Sequence, residues 1–263
     1  MTTDQQPNLQ PTQKVARYKT TRPIFAPTLD RKTTETRIND SLSLQLRPFS
    51  PTDLPHVHRL RTQPSVMINT STGIIDADLS VSSVWMARYL PPNDATTFDL
   101  MMWVKQSDAS EHTDAGPPWE HIGVLGCHML SPVPHIGYML RTEWWGKGIA
   151  THALKTFLRL WWLLPRREVE IDLSSMEDEH ELHLTRLEWN QRQSGNAKSL
   201  DSSVTPETDV VPEILLAEIE ERNFGSIKVV ERCGFTYRAS ESVVEKNRQV
   251  TLLNYTASRP AAD

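Results

Sequence analysis

Between His135 and Leu164 a short apolar segment leads through two closely spaced glycines into a long helix-period stripe, and this restricts the possible folds more than any other stretch. Residues 149/150, 153/154, 157/158, 160/161 and 164 are apolar, whereas Thr151, His152, Lys155, Thr156 and Arg159 lie between them. One wide apolar face recurring near every 3.6 residues specifies a helix packed on a sheet. His135 to Arg141 reads as the strand before it, joined to it by a turn carrying Gly146 and Gly148. The first N–H groups of a helix have no internal partner, and its dipole adds about half a positive charge there. Missing Cβ atoms at the two glycines let a diphosphate approach those donors. A tight structural turn is the alternative reading of the same residues.

The rest of the chain supplies what such a helix packs against. Leu42, Leu44 and Leu46 alternate with polar residues at the period of a half-buried strand, and Ser50-Pro51 opens a helix carrying Leu54, Val57, His58 and Arg61. A second helix is expected from Val81 to Leu90, stopped by Pro91-Pro92, then strands over 98–104 and 122–127 separated by a polar loop. After the glycine-turn helix, strands are expected at 213–219, 235–238 and 249–255, with a short helix from Phe224 to Arg232. Residues 1–41, rich in Thr, Gln and Pro, read as a disordered tail outside the fold, and 257–263 as a short C-terminal tail. The stretch from about 166 to 212 reads as an acidic, largely polar insertion into a single domain spanning 42–256. Its first half, with Leu182, Leu184, Leu187 and Trp189, has some helical character, and 190–210 is expected to be mobile. The resulting order is that of an α/β domain with a mixed sheet and helices on it.

Several function classes are disfavoured. A net charge of −5 gives no overall attraction to nucleic acid or to an acidic membrane. Two cysteines, Cys127 and Cys233, lack metal-ligand spacing, so neither a metal site nor a disulfide framework is expected. The longest apolar run, Leu160 to Leu164, is far short of the roughly 20 residues of a membrane span. With no signal-like stretch, the expected setting is the cytoplasm or the nucleus.

The turn does not fit the nucleotide motifs. A dinucleotide fold needs a third glycine and a later acidic residue, and a Walker loop needs Ser or Thr after the lysine, where Lys147 is followed by Gly148. Trp144-Trp145-Gly146-Lys147-Gly148-Ile149-Ala150-Thr151-His152-Ala153-Leu154 instead resembles the acetyl-CoA signature of GNAT N-acetyltransferases, most closely the branch of the RimJ and RimL protein N-terminal acetyltransferases. Asn223, Ser226, Gly234 and Phe235 resemble that family's later Asn-x-x-Ser helix and Gly-Phe turn. The resemblance spans roughly residues 42 to 256. It implies the GNAT fold, with a mixed, strongly twisted sheet that splays beside the turn. It also implies acetyl-CoA as co-substrate, held by Met139, Leu140, Arg141, Trp145, Gly146, Lys147, Gly148, Ile149, Ala150, Thr151, Asn223 and Ser226. Asn223 and Ser226 are equally natural helix-start residues.

Two departures bear on chemistry. Glu143 stands where many members carry Gln or Arg and would repel a pyrophosphate unless it turns outward, and Val230 occupies the place of the tyrosine that many members use as acid for the leaving thiolate. His135 is the one candidate general base, with a core or solvated histidine as the alternative. Trp144 and Trp145 are candidates for the mouth of a substrate site or for packing of the turn. Cys127 and His128, adjacent on a strand, should face opposite ways and form no nucleophile pair. The expected reaction is direct transfer of acetyl to a primary amine, a protein N-terminus or a small molecule, in a ternary complex. A GNAT-fold module that binds acetyl-CoA or a protein partner without turnover is the alternative.

Overall fold

The computed structural model describes residues 17–24, 33–107, 119–130, 133–172, 209–210, 213–245 and 248–260. Expectations for the first 16 residues, for a helix near Leu182–Trp189 and for mobility over most of 190–210 fall outside them. The chain divides into two compact units, residues 21–167 with 212–263, and residues 1–20 with 168–211.

The larger unit carries an eight-stranded sheet. Its strands are β2 (Thr34–Asn39), β3 (Leu42–Arg47), β4 (Phe98–Gln106), β5 (Glu120–Met129), β6 (His135–Leu140), β9 (Ile214–Glu220), β10 (Thr236–Glu245) and β11 (Arg248–Ser258). They lie in the order β10-β11-β9-β6-β5-β4-β3-β2. Every neighbouring pair is antiparallel except β6 with β9, which is parallel. A three-stranded sheet has the order β7-β1-β8, from Arg166–Asp172, Arg17–Pro23 and Asp209–Val210. In the smaller unit Tyr18 and Lys19 pair in parallel with Asp209 and Val210, and Lys19 forms an ion pair with Glu168 at 3.3 Å.

Both faces of the large sheet are covered, which explains why β4 is buried from Phe98 to Val104 with no polar alternation. Leu44, Leu46, Phe98, Leu100, Met102, Leu125 and Cys127 pack against Ala153, Leu154, Phe157 and Trp161 of α4 (Ile149–Leu163) and Val230 of α5 (Phe224–Arg232). On the opposite face Met101, Trp103 and Val124 meet Val57 and Leu60 of α1 (Leu54–Arg61) and Met86 of α3 (Leu79–Ala87). A four-residue helix, α2 (Pro64–Met67), lies between α1 and α3 in sequence.

The structure corrects several boundaries. Two strands, β1 and β2, lie within the segment read as a disordered tail. β2 pairs with β3 from Thr34↔Leu46 onward, so its Thr-rich alternation is that of a sheet edge, not of an unstructured chain. β7 and β8 occupy the ends of the segment read as an insertion, and β11 runs to Ser258, past the expected domain end. α3 starts earlier than expected because the Asp78 side chain accepts from the N–H groups of Ser80 and Val81. β10 and β11 form a long hairpin.

His121 of β5 is buried on the α1/α3 face, its ring 5.4 Å from that of Trp103 and 5.7 Å from that of His56. Burial, and then the neighbouring His56, lower its pKa to about 3. The folded value lies below the unfolded one, so between pH about 6.5 and about 3 the unfolded chain binds the additional proton. The stability this group contributes is complete above pH 6.5 and is lost as pH falls. About 2 kcal/mol should disappear between pH 7 and pH 5. Urea denaturation at the two values should show that loss, and His121→Phe should flatten it. An unchanged slope in the variant would assign the acid sensitivity to other groups, such as His128 and His152.

Candidate active site

The site begins where β6 and β9 part. They pair at His135↔Leu216, supported by the Leu216 N–H donating to the Pro134 carbonyl at 2.9 Å, and no further register pair follows. On its other side β6 stays in register with β5 through Leu140↔Gly123, and the Arg141 N–H donates to the Ile122 carbonyl at 2.8 Å. Backbone groups of antiparallel strands alternate in direction, so the N–H groups of Tyr138 and Leu140 face away from β5 and into the widening gap. Two contacts agree with this. The Leu140 carbonyl accepts from the Trp145 indole at 2.6 Å, and the Met139 carbonyl lies toward Gly123.

The turn after β6 is built on backbone conformation. Gly146 and Gly148 have φ of 73° and 74°, and a Cβ added at either would meet nothing of the protein within 4 Å. Left-handed backbone, not crowding, requires glycine here, and the space beside it stays open. Gly148 is the N-cap of α4, and no side chain caps that terminus. A 15-residue helix thus presents its first N–H groups to open space next to the gap, a fit for an anionic group.

A cavity of about 760 Å³ lies at the gap and is lined by residues from both faces of the sheet. On the α4/α5 side it is lined by Trp145, Gly146, Ala150, Leu154, Asn223 and Ser226. On the α1/α3 side it is lined by Asp99, His128, His135 and Glu218, beneath Trp85 and Tyr89.

The residues singled out from sequence fall into two groups. Met139, Leu140, Trp145, Gly146, Ala150, Asn223 and Ser226 line the cavity, as does His135. Gly148 holds the helix end, while Ile149 is buried in the core and the Thr151 carbonyl accepts from the Cys233 thiol. The Lys147 ammonium lies 4.6 Å from the ring centre of Trp144, which is itself buried, so of the two tryptophans Trp145 is the one at the cavity.

Arg141 departs from expectation. Its buried guanidinium donates to Glu120, to the His121 carbonyl and to Glu143, at 2.7–2.8 Å, and does not line the cavity. The same pairing disposes of the objection to Glu143. Bonds from Arg141, then the backbone and Gln63, hold its pKa down at about 2, and its charge is answered within the protein.

Asn223 caps α5, accepting from the Ser226 N–H at 3.1 Å, so the helix-start reading of this residue describes what it does within the fold. The Ser226 hydroxyl in turn accepts from the Tyr138 phenol at 3.0 Å, across the gap. Burial raises the Tyr138 pKa, which keeps it a protonated donor. Val230, at the position of the family's tyrosine, is buried and lines the cavity.

His135 is buried, with Nδ1 3.2 Å from Glu218, and its ring stands edge-on to that of His128 at 6.1 Å. His128 is exposed to the cavity, and the protein crowded around its ring, then His135, lower its pKa, so its imidazole is neutral at physiological pH. Cys127, one residue earlier, is fully buried in the α4-side core, and its thiol pKa is raised well above the usual value by burial. The sequence reading missed Asp99, His128, Tyr138 and Glu218 as cavity residues. The strand-alternation rule that separated Cys127 from His128 would have placed His128 opposite the core.

Against known proteins, residues 43–236, most of the chain, match the family model described as an acetyltransferase (GNAT) domain. No curated protein sequence matches significantly. Among solved structures, the chain is similar to the microcin C7 self-immunity acetyltransferase MccE in complex with acetyl-CoA and AMP. That likeness has 14% identity and a TM-score of 0.51, over 84% of this chain and 93% of that one. It is similar to RimL, a ribosomal L7/L12 α-N-protein acetyltransferase in complex with coenzyme A, at 12% identity and a TM-score of 0.52, over 86% and 98% of the chains. It is also similar to a probable GNAT-family acetyltransferase from Chromobacterium violaceum, at 14% identity and a TM-score of 0.53, over 98% and 97%. These likenesses establish a shared fold. Together with the family model, the parted β6 and β9 and the glycine turn opening α4 show that this chain belongs to the GNAT acetyltransferase family.

Proposed function

We propose that the protein is an acetyl-CoA-dependent N-acetyltransferase of the RimJ/RimL-like branch, acting on a primary amine by direct transfer in a ternary complex. The observation that carries this reading is the cavity lined from both faces of the sheet at the β6/β9 gap. A donor can enter from the α4 side, with its diphosphate at the Gly146–Gly148 turn, and an acceptor from the α1/α3 side. The two RimJ/RimL-type motifs lie on the donor side of that cavity.

Within this arrangement the chain's own groups have definite tasks. The N–H groups of Tyr138 and Leu140 face the gap, where a thioester carbonyl would develop negative charge. The Tyr138 phenol and Ser226 hydroxyl offer a proton on the leaving-group side, a role that Val230 cannot fill. On the acceptor side His135, bonded to Glu218, and His128 surround the place where an amine must lose its proton. An α-amine with a pKa near 8 is partly neutral at cellular pH, whereas a lysine near 10.4 needs a stronger base. A site whose bases are imidazoles suits the α-amine or an activated small-molecule amine. Free thiols at Cys127 and Cys233 suit a reducing compartment such as the cytoplasm.

An acetyl-CoA consumption screen across peptide N-termini, lysine peptides, polyamines and amino acids tests the reading. At least one amine should turn over, with initial-rate lines that intersect. Cys127→Ala should retain most activity, because a fully buried thiol of raised pKa is a poor nucleophile. Parallel lines with an acetyl-enzyme lost in Cys127→Ala would replace direct transfer by a ping-pong route. CoA binding without turnover on any amine would favour a silent acetyl-CoA-binding module, the reading to which Val230 lends weight.

A further inference from the structure

Arg88 directly follows α3 and lines the α1/α3 side of the cavity. Its guanidinium is held from one side. Nε donates to the Trp85 carbonyl at 3.3 Å, a bond typical of an arginine at a helix C-terminus, and Nη2 donates to the Tyr89 hydroxyl at 3.4 Å. The same group lies over both rings, 5.6 Å from the centre of Trp85 and 5.4 Å from that of Tyr89. Those rings are 4.7 Å apart, and Phe49 stacks on Tyr89 at 5.0 Å, so the guanidinium rests on a packed aromatic surface.

A guanidinium carries five N–H donors in a fixed plane. Two of the five are used here, both in long bonds, and among the described residues no carboxylate pairs with Arg88. Its charged neighbours are engaged elsewhere. Arg61, on the same side of the cavity, gives Nε and Nη2 to Asp76 at 2.7 Å, and Glu218 is 3.2 Å from His135. Helix capping accounts for the first Arg88 bond only, and packing on aromatic rings would serve equally well away from a cavity. A guanidinium supported on rings is weakly hydrated and already oriented, and its free edge matches the two oxygens of a carboxylate.

The Arg88 charge is felt at the histidines. Burial, then the Asp99 carboxylate, raise the Tyr89 pKa, and Arg88 opposes them. At His128, Arg88 adds to the lowering that the surrounding protein and His135 produce. Arg88 is exposed and His135 is buried, so they mark the outer and inner ends of this side of the cavity. A molecule with its amine at the imidazoles extends outward past Arg88.

We propose that Arg88 selects the acceptor: the amine bears a carboxylate, which the guanidinium binds at the outer end of the α1/α3 side while the amine lies at His128 and His135. The assignment rests on the N-acetyltransferase reading and narrows its substrate class from primary amines to carboxylate-bearing ones. Two sources present that chemistry, a free amino acid through its α-carboxylate and a peptide N-terminus through an acidic side chain.

Calorimetry on the whole protein, with and without saturating CoA, compares two matched pairs of probes, alanine with alaninamide and Asp-Ala-Ala amide with Asn-Ala-Ala amide. Each pair differs in one carboxylate. In at least one pair the acid should bind about tenfold or more tightly than its amide, and Arg88→Gln should abolish most of that ratio without changing the CoA Kd. Arg88→Lys should lie between, since an ammonium keeps the charge without the fork. Discrimination in the first pair identifies a free amino acid as the acceptor, and in the second an acidic peptide N-terminus. Equal affinity within both pairs, no measurable binding of any of the four, or a ratio that survives Arg88→Gln would overturn the assignment. Acetyl-CoA consumption with the same probes separates it from the reading beneath it. Selective binding without turnover keeps the carboxylate site and removes the transferase, whereas turnover of both members of each pair at equal kcat/KM keeps the transferase and removes this assignment.

Discussion

Gly148→Val should weaken CoA binding by well over tenfold, at least about 1.4 kcal/mol, while α4 and the sheet remain folded. Gly148 has φ of 74° and is the N-cap of a helix that no side chain caps. A β-branched residue disfavours that left-handed conformation, so the backbone must rotate and carry the first N–H groups of α4 with it. The protein itself raises no steric objection, since a Cβ here meets nothing within 4 Å. The damage should therefore fall on a bound anion more than on the fold. Isothermal calorimetry with CoA gives the affinity, and circular dichroism checks the helix. Wild-type affinity in a folded Gly148→Val protein would remove the turn from the binding site. Gly146, with φ of 73° and the same open surroundings, should behave alike.

That turn was legible in the sequence because its information is local. A strand, two glycines and an apolar stripe lie within some thirty consecutive residues, and the stripe can be satisfied only by packing on a sheet. The same holds for Asn223, whose cap on α5 needs no distant partner. β2 was not legible, because Thr34, Thr36 and Ile38 make a weak alternation that acquires meaning only beside β3. The second half of β10, where Ser240, Glu241 and Ser242 interrupt the apolar residues, was missed for the same reason. It is held by pairing with β11 along a sheet edge.

The site divides in the same way. Its α4 side follows from consecutive residues, and its α1/α3 side from register. Nothing along the chain joins Asp99 to Gly126 and Gly137, which stand in one row because three antiparallel strands align them. Arg141 shows the converse. The family resemblance implied a cofactor contact for it, but its two terminal nitrogens donate instead to Glu120, Glu143 and the His121 carbonyl.

Arg61→Met should cost about 3–5 kcal/mol of stability, because it leaves a buried charge without its partner. Arg61 ends α1, and Asp76 lies in the segment leading to α3. Their side chains are 4% and 3% exposed, and two bonds of 2.7 Å join them. The Ser82 hydroxyl, from α3, donates to the same carboxylate at 2.6 Å, and the guanidinium lies 4.5 Å from the ring centre of Trp85. Burial alone would raise the Asp76 pKa, yet bonds from Arg61 and Ser82 outweigh it and hold the group below its ordinary value. Without Arg61 the balance reverses, and Asp76 must take up a proton or draw in water. A protein of ordinary stability, about 5–15 kcal/mol, would lose a large part of it, read as a lower urea midpoint at unchanged slope. The double variant Arg61→Met, Asp76→Leu separates the two contributions. It removes both charges, so most of the loss should be recovered, leaving the Ser82 hydroxyl without its acceptor as the residual cost. If the double variant is as unstable as Arg61→Met, the loss comes from the packing of Arg61 on Trp85 and not from the stranded carboxylate. Asn69, Thr70, Ser71 and Thr72 line the cavity within the segment that this pair ties down. On the proposed function, the KM for the amine should therefore rise in Arg61→Met at a temperature where it stays folded, while the KM for acetyl-CoA, which that proposal puts on the α4 side, stays close to its original value.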